Sequence, residues 1–167
     1  MTKDKPKVAV IMGSDSDLPI VSKTIRVLKE FKVDFSVRVI SAHRTPDIAA
    51  SFAKNAEAEG FDIIIAAAGK AAHLPGVLAA YTVLPVIGIP VKSSTLDGMD
   101  SLLSIVQMPS GVPVATVGID GAENAGLLAV EMLSLKYPDL RENLKEHREN
   151  MQQEVIKKDN RVASEEF

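Results

Sequence analysis

Val8-Ala9-Val10-Ile11-Met12, running into Gly13-Ser14-Asp15-Ser16-Asp17, decides the fold of this chain. Five apolar residues in unbroken succession suit a strand buried on both faces, and the turn after it leads into a helix. Asp17 or Ser16 is expected to cap that helix, with Pro19 tolerated in its first turn. Val21, Ile25 and Leu28 recur at helical spacing as far as Phe31-Lys32. Phe35, Val37 and Val39 then alternate with Ser36 and Arg38, which predicts a second strand, half exposed and near a sheet edge.

The same cycle repeats outward from there. Thr45-Pro46 predicts a capped helix ending near Gly60, Asp62 to Ala67 a third strand, His73 to Tyr81 a short helix and Val86 to Ile89 a fourth strand running into Pro90. Leu102 to Val106 follows as helix, Val114 to Ile119 as a fifth strand, and the Ala- and Leu-rich segment Ala122 to Leu135 as another helix. Strand and helix in alternation imply right-handed βαβ units. The predicted class is therefore α/β: a three-layer αβα, flavodoxin-like or Rossmann-like, mainly parallel sheet. From Pro138 the chain turns polar, with Leu140, Leu144, His147 and Met151 three or four residues apart. This reads as an amphipathic C-terminal helix, about 138–163, laid on a neighbouring subunit, with His147 at its surface. With no linker and no repeat of fixed period, residues 1–167 read as one catalytic domain whose core is about 7–136.

Composition removes several classes of function. At 167 residues, 46% hydrophobic and 25% charged, the chain can bury one substantial core. A formal charge of -3 without a dense Lys/Arg block argues against a nucleic-acid surface. Zero cysteines exclude disulfides, thiolate nucleophiles and Cys-based metal sites. No apolar stretch is long enough for a signal-peptide core or a bilayer span, so no membrane association and a cytoplasmic location are expected. Gly69-Lys70 lacks the spacing and the Ser/Thr of a P-loop, no G-x-G-x-x-G follows the first strand, and no His/Asp/Glu cluster has metal spacing. Neither a cofactor nor a metal is expected.

Ligands of an open parallel sheet bind outside the carboxyl ends of its strands. The loop after the first strand offers serine hydroxyls and helix N-terminal N–H groups, and reads equally as a phosphate site and as a plain helix cap. Asp15 and Asp17 would repel a phosphate, so at least one points elsewhere, and a carboxylate there suits ribose hydroxyls. Arg44 can clamp a phosphate. His43 sits in a loop whose turning is already handled by Thr45 and Pro46 and faces a second histidine loop, and an imidazole can pass a proton in either direction, which makes it the candidate for proton transfer. His73 lies among Gly69, Ala71, Ala72 and Gly76, where a ligand can approach the backbone, and reads as a positioning residue. Acid–base work on a small phosphate ester is what these residues leave standing.

The motifs GSDSD (Gly13 to Asp17), SAHRTP (Ser41 to Pro46), AAHLPG (Ala71 to Gly76), GIPVKSS (Gly88 to Ser94) and SIVQMPSGVPVATV (Ser104 to Val117) closely resemble those of the class I N5-carboxyaminoimidazole ribonucleotide mutase family. The resemblance spans about Val8 to Leu135. It implies conversion of N5-carboxyaminoimidazole ribonucleotide to 4-carboxy-5-aminoimidazole ribonucleotide in purine (IMP) biosynthesis, without cofactor, in a homo-octamer. It also implies a functional link to the ATP-dependent synthetase that makes the substrate. By matching positions, His43 would be the general acid/base. Ser14, Asp17 and Arg44 would bind the nucleotide, with Ser16, Ser41 and the backbone of Ala42 completing the ribose-phosphate site. His73, Leu74 and Pro75 would line the pocket for the carboxylate or carbon dioxide. Gln107, Met108, Pro109 and Gly111 would approach an active site across a subunit boundary.

Two departures from the family pattern stand out: Lys70, where many relatives carry glycine, and a short Gly118 to Asn124 segment. Lys70 puts a cation near the pocket, where it is expected to be solvated, the alternative being that it stabilises a carboxylate. The intact AHLPG favours the mutase over the branch that carboxylates aminoimidazole ribonucleotide directly. That direct carboxylation, and a non-catalytic nucleotide-binding module, are the alternatives.

Overall fold

A computed structural model describes residues 5–165; the outermost positions of the expected 1–167 domain lie outside them. The strands are β1 (Lys7–Met12), β2 (Asp34–Val39), β3 (Ile63–Gly69), β4 (Val86–Val91) and β5 (Ala115–Thr116). The helices are α1 (Leu18–Glu30), α2 (Pro46–Asn55), α3 (Leu74–Ala79), α4 (Met99–Val106), α5 (Ala122–Leu133) and α6 (Pro138–Ala163). The strands pair in parallel in the order β2-β1-β3-β4-β5. The α/β expectation thus holds, including the place of the half-exposed β2 at an edge.

Alternation along the central strands divides the core in two. Val8, Val10 and Met12, with Ile63, Ile65 and Ala67, face the layer formed by α1 and α5. Ala9, Ile11, Ile64 and Ala66 face Ala49, Phe52, Leu74, Leu78 and Ile105 from α2, α3 and α4. Because both faces are covered, β1, β3 and β4 need continuous apolar runs rather than the alternating pattern of β2. Two glycines permit close approach, one between helices of the same layer and one between sheet and helix. A Cβ on Gly126 would lie 2.8 Å from Val27 Cβ, and α1 is further tied to α5 by the buried Thr24 hydroxyl donating to Ala122 O at 2.6 Å. A Cβ on Gly88 would run into Ile105 and come within 3.1 Å of Val114.

Several boundaries differ from the sequence expectation for identifiable reasons. The fifth strand is two residues long rather than Val114 to Ile119. Its ladder with β4 covers Ile87↔Ala115 and Gly88↔Thr116, then meets Pro90, which has no N–H to donate. Neither Asp17 nor Ser16 caps the helix at β1's end. Ser14 does, accepting the Ser16 N–H at 3.3 Å over a single 3₁₀ turn (Asp15–Asp17) that continues into α1. Thr45 sits at the N-cap of α2 without capping it. Its hydroxyl is spent closing the loop before it, donating to Ser41 O and accepting the Ser41 N–H, both at 3.0 Å. α2 ends at Asn55, and the turn beyond it reaches Gly60 at φ +80°.

α6 spans the predicted residues, and Leu140 and Leu144 pack on the core of their own chain. His147 is not a plain surface residue: half-buried, it lies 3.4 Å from Glu30 Oε1 with its ring centroid 5.5 Å from that of Phe31, tying α6 to the end of α1. Beyond it Met151, Val155, Ile156 and Val162 are exposed. Among the described residues no helix is long and apolar enough to cross a membrane.

Candidate active site

The carboxyl ends of β1, β2, β3 and β4 open on one side of the sheet into a cleft of ≈ 570 Å³. Nine of the residues singled out as site candidates, Ser14, Ser16, Asp17, Ser41, Ala42, His43, Arg44, His73 and Leu74, line it. Their convergence follows from strand order. β1 and β3 are neighbours and β2 flanks β1, so three loops far apart in sequence emerge side by side.

Local chemistry shapes each loop. In Ser41 to Thr45 the Thr45 hydroxyl and the Thr45 N–H both bond to Ser41 O, which leaves His43 and Arg44 at the exposed apex. Arg44 spans to the neighbouring loop: its Nη2 donates to Gly13 O at 2.8 Å, and Nε and the backbone N–H donate to Ser41 Oγ at 3.3 and 3.2 Å. The guanidinium is therefore positioned before any anion arrives. In the β1 loop, the Ser16 hydroxyl lies 2.9 Å from Ser14 Oγ and 3.4 Å from Asp17 Oδ1. Asp17 itself is only 9% exposed. Burial pushes its carboxyl above the ordinary value of 3.8 and the charge of Asp15 adds to the rise, against the Ser14 backbone N–H and the Ser16 hydroxyl, which hold it down.

The β3 loop brings the second histidine to the first. His73 occupies the N-cap position of α3, and His43 Nε2 lies 2.8 Å from His73 Nδ1 with the rings edge to face at 80°. One proton serves that contact, so the tautomer of one ring fixes that of the other. A proton gained or lost by His43 can be matched by its neighbour. Leu74 is buried and lines the cleft with Ala68 and Ala71, giving an apolar wall next to the histidine pair. Ala72 and Pro75 do not line it. Ala72 packs into the core beneath, and Pro75 packs under Gly88. Gln107, Met108, Pro109 and Gly111 do not line this chain's cleft either; Met108 Sδ sits 2.9 Å from where a Cβ of Gly76 would be.

Sequence reasoning gave no role to the β4 end. Val91, Lys92, Ser93 and Ser94 form the remaining wall of the cleft. Lys92 pairs with Asp97 at 3.2 Å, and the Ser93 hydroxyl donates to Thr95 O at 2.7 Å. The rule that pointed to the other three loops applies equally to this one, since it too follows the carboxyl end of a parallel strand. No group of three or more His, Asp or Glu that could hold a metal occurs among the described residues.

Fold and cleft together define a doubly wound α/β protein with a polar, arginine-bearing ligand site and a hydrogen-bonded histidine pair at the carboxyl edge of its sheet. The family described as AIR carboxylase matches residues 7–154, and the chain belongs to it. The chain is 63% identical over 146 residues to the N5-carboxyaminoimidazole ribonucleotide mutase of Pyrococcus abyssi, covering 87% of this chain and 84% of that one. To the mutase of Pyrococcus horikoshii it is 56% identical over 162 residues, covering 97% and 92%. The crystal structure of Treponema denticola PurE matches with a TM-score of 0.84 at 30% identity, covering 95% of this chain and 99% of that one.

Proposed function

We propose that this chain is an N5-carboxyaminoimidazole ribonucleotide mutase of purine biosynthesis, moving the carboxyl group from the exocyclic nitrogen to C4 of the imidazole. The observation that carries the mechanism is the His43–His73 contact at 2.8 Å, set between a polar, arginine-bearing end of the cleft and an apolar wall. The phosphate takes the Arg44, Ser14, Ser16 and Ser41 end, with the Ala42 backbone beside it, and Asp17 accepts from the ribose hydroxyls. The imidazole then lies toward the histidines.

A carbamate on nitrogen is labile. As its C–N bond breaks, carbon dioxide leaves and the electron pair stays on nitrogen, which His43 protonates. The apolar wall of Ala68, Ala71 and Leu74 holds the released gas against C4, whose enamine-like electrons form the new C–C bond. The proton on C4 then returns to His43. Donation and acceptance cancel over the cycle, so the chemistry can be written with no external acid, base or cofactor.

We read residues 1–167 as one catalytic domain of a cytoplasmic homo-octamer. Exposed apolar residues on α4 (Met99, Leu103 and Val106) and on the outer half of α6 (Met151, Val155 and Ile156) support burial against neighbouring copies. In that assembly α6 lies on a neighbour and the 107–111 loop completes a neighbour's cleft. The enzyme is linked in function to an ATP-dependent synthetase that supplies the carbamate. The deciding assay follows absorbance on enzymatically generated N5-carboxyaminoimidazole ribonucleotide at low bicarbonate. Rapid turnover is expected; activity only on aminoimidazole ribonucleotide with bicarbonate would make the chain a carboxylase, and binding without turnover a non-catalytic module.

A further inference from the structure

Among the described residues three cationic side chains line the cleft besides its histidines, and two of them are already held. Arg44 is anchored by Gly13 O and Ser41 Oγ, and Lys92 by Asp97. The Lys70 ammonium makes no hydrogen bond or ion pair with any described residue, although Lys70 lines the same cleft. The expectation that it is merely solvated does not account for its backbone. Lys70 has φ +55°, a left-handed conformation that glycine adopts freely and a Cβ disfavours. The fold requires that conformation. Just past it the Ala72 N–H bonds to Lys70 O and the His73 N–H to Ala71 O, both at 2.8 Å, folding the chain back so that His73 meets His43. The backbone at residue 70 thus suits glycine, while the side chain present delivers an unpaired cation to the cleft wall beside the histidines.

We propose that Lys70 is a specificity residue that takes the carboxylate of the carboxylated nucleotide. The inference rests on the mutase reading. Arg44 follows β2 and Lys70 follows β3, two strand spacings away across the sheet, roughly 10 Å. A nucleotide with its phosphate at Arg44 and its ring toward His43 carries its carboxyl group to the Lys70 side. The ion pair exists while that group is an anion, on nitrogen before the reaction and on carbon after it, and is lost while it is carbon dioxide. Lys70 therefore strengthens binding of substrate and product without favouring the step between them, which lowers KM and leaves kcat unchanged or reduced.

The test compares the full-length wild type with Lys70→Gly, Lys70→Asn, which is neutral and tolerates the left-handed region, and Lys70→Arg. Calorimetric titration uses 4-carboxy-5-aminoimidazole ribonucleotide and, separately, aminoimidazole ribonucleotide, which lacks the carboxyl group. The Gly and Asn variants are expected to bind the carboxylated nucleotide about three- to tenfold more weakly and the other unchanged, with Arg close to wild type. KM for the N5-carboxylated substrate rises by the same factor without a fall in kcat. Equal losses for both nucleotides, which mark a loop effect, overturn the proposal; so does an unchanged preference, or a wild type that binds neither. A wild type that discriminates by calorimetry yet does not isomerise would refute the mutase reading and leave the Lys70 result standing.

Discussion

Replacing His43 by Asn tests the centre of the mechanism. The substitution removes the titrating ring while keeping a side chain able to hydrogen-bond. It also shortens the side chain that now reaches His73 Nδ1 at 2.8 Å. A positioned general acid/base contributes about 10²- to 10⁴-fold, so kcat should fall by that factor. Binding should change little, because the contacts assigned to phosphate and ribose come from Arg44, Ser14, Ser16, Ser41 and Asp17. Stability should also hold. His43 is exposed, and an exposed substitution within about 0.5 kcal/mol moves the melting temperature of a chain this size by roughly 2 °C at most. The assay is single-turnover absorbance on N5-carboxyaminoimidazole ribonucleotide, with calorimetric binding of the product and a thermal melt on the same preparation. A loss of less than tenfold in kcat, or a loss of binding as large as the loss of turnover, would refute the assignment. His73→Asn is the comparison: it removes the partner that orients His43 and should cost less than His43→Asn.

Arg44→Ala deletes a guanidinium pre-set by Gly13 O, and charge-assisted bonds of about 1.5–3 kcal/mol correspond to roughly 10- to 100-fold weaker nucleotide binding, read as a rise in KM exceeding any fall in kcat. Asp17→Asn should stabilise the protein while weakening ribonucleotide binding. Because burial raises the Asp17 pKa, the native state binds more protons than the unfolded chain between the ordinary 3.8 and the raised value. Stability falls as pH rises through that window, and the penalty is complete above it. The gain in melting temperature from Asn should thus be largest at neutral pH, shrink as pH falls through the window, and vanish only below about pH 3, where the unfolded carboxyl is protonated as well. Gly88→Ala forces a methyl into Ile105 and Val114, and overpacking of about 1–3 kcal/mol should lower the melting temperature by roughly 3–10 °C, as calorimetry would show.

The sequence by itself determined the α/β class, the edge position of β2 and the residues of three cleft loops. Those signals are local: the apolar runs of β1 and β3, the alternation of β2, and polar or glycine-bearing turns at strand ends. The span of α6 was equally legible, because composition changes sharply at Pro138. What depends on partners distant in the chain had no local signal. β5 stops after two residues because Pro90, on another strand, offers no N–H. His147 is drawn from the surface by Glu30 and Phe31, more than a hundred residues earlier. The cleft divides in the same way. His43 and His73 are each conspicuous in sequence, but that their nitrogens lie 2.8 Å apart, and that the β4 end forms the fourth wall, follows only from the order β2-β1-β3-β4. Periodicity and turn chemistry are properties of neighbouring residues, whereas contact between two loops exists only once the sheet has set the strands side by side.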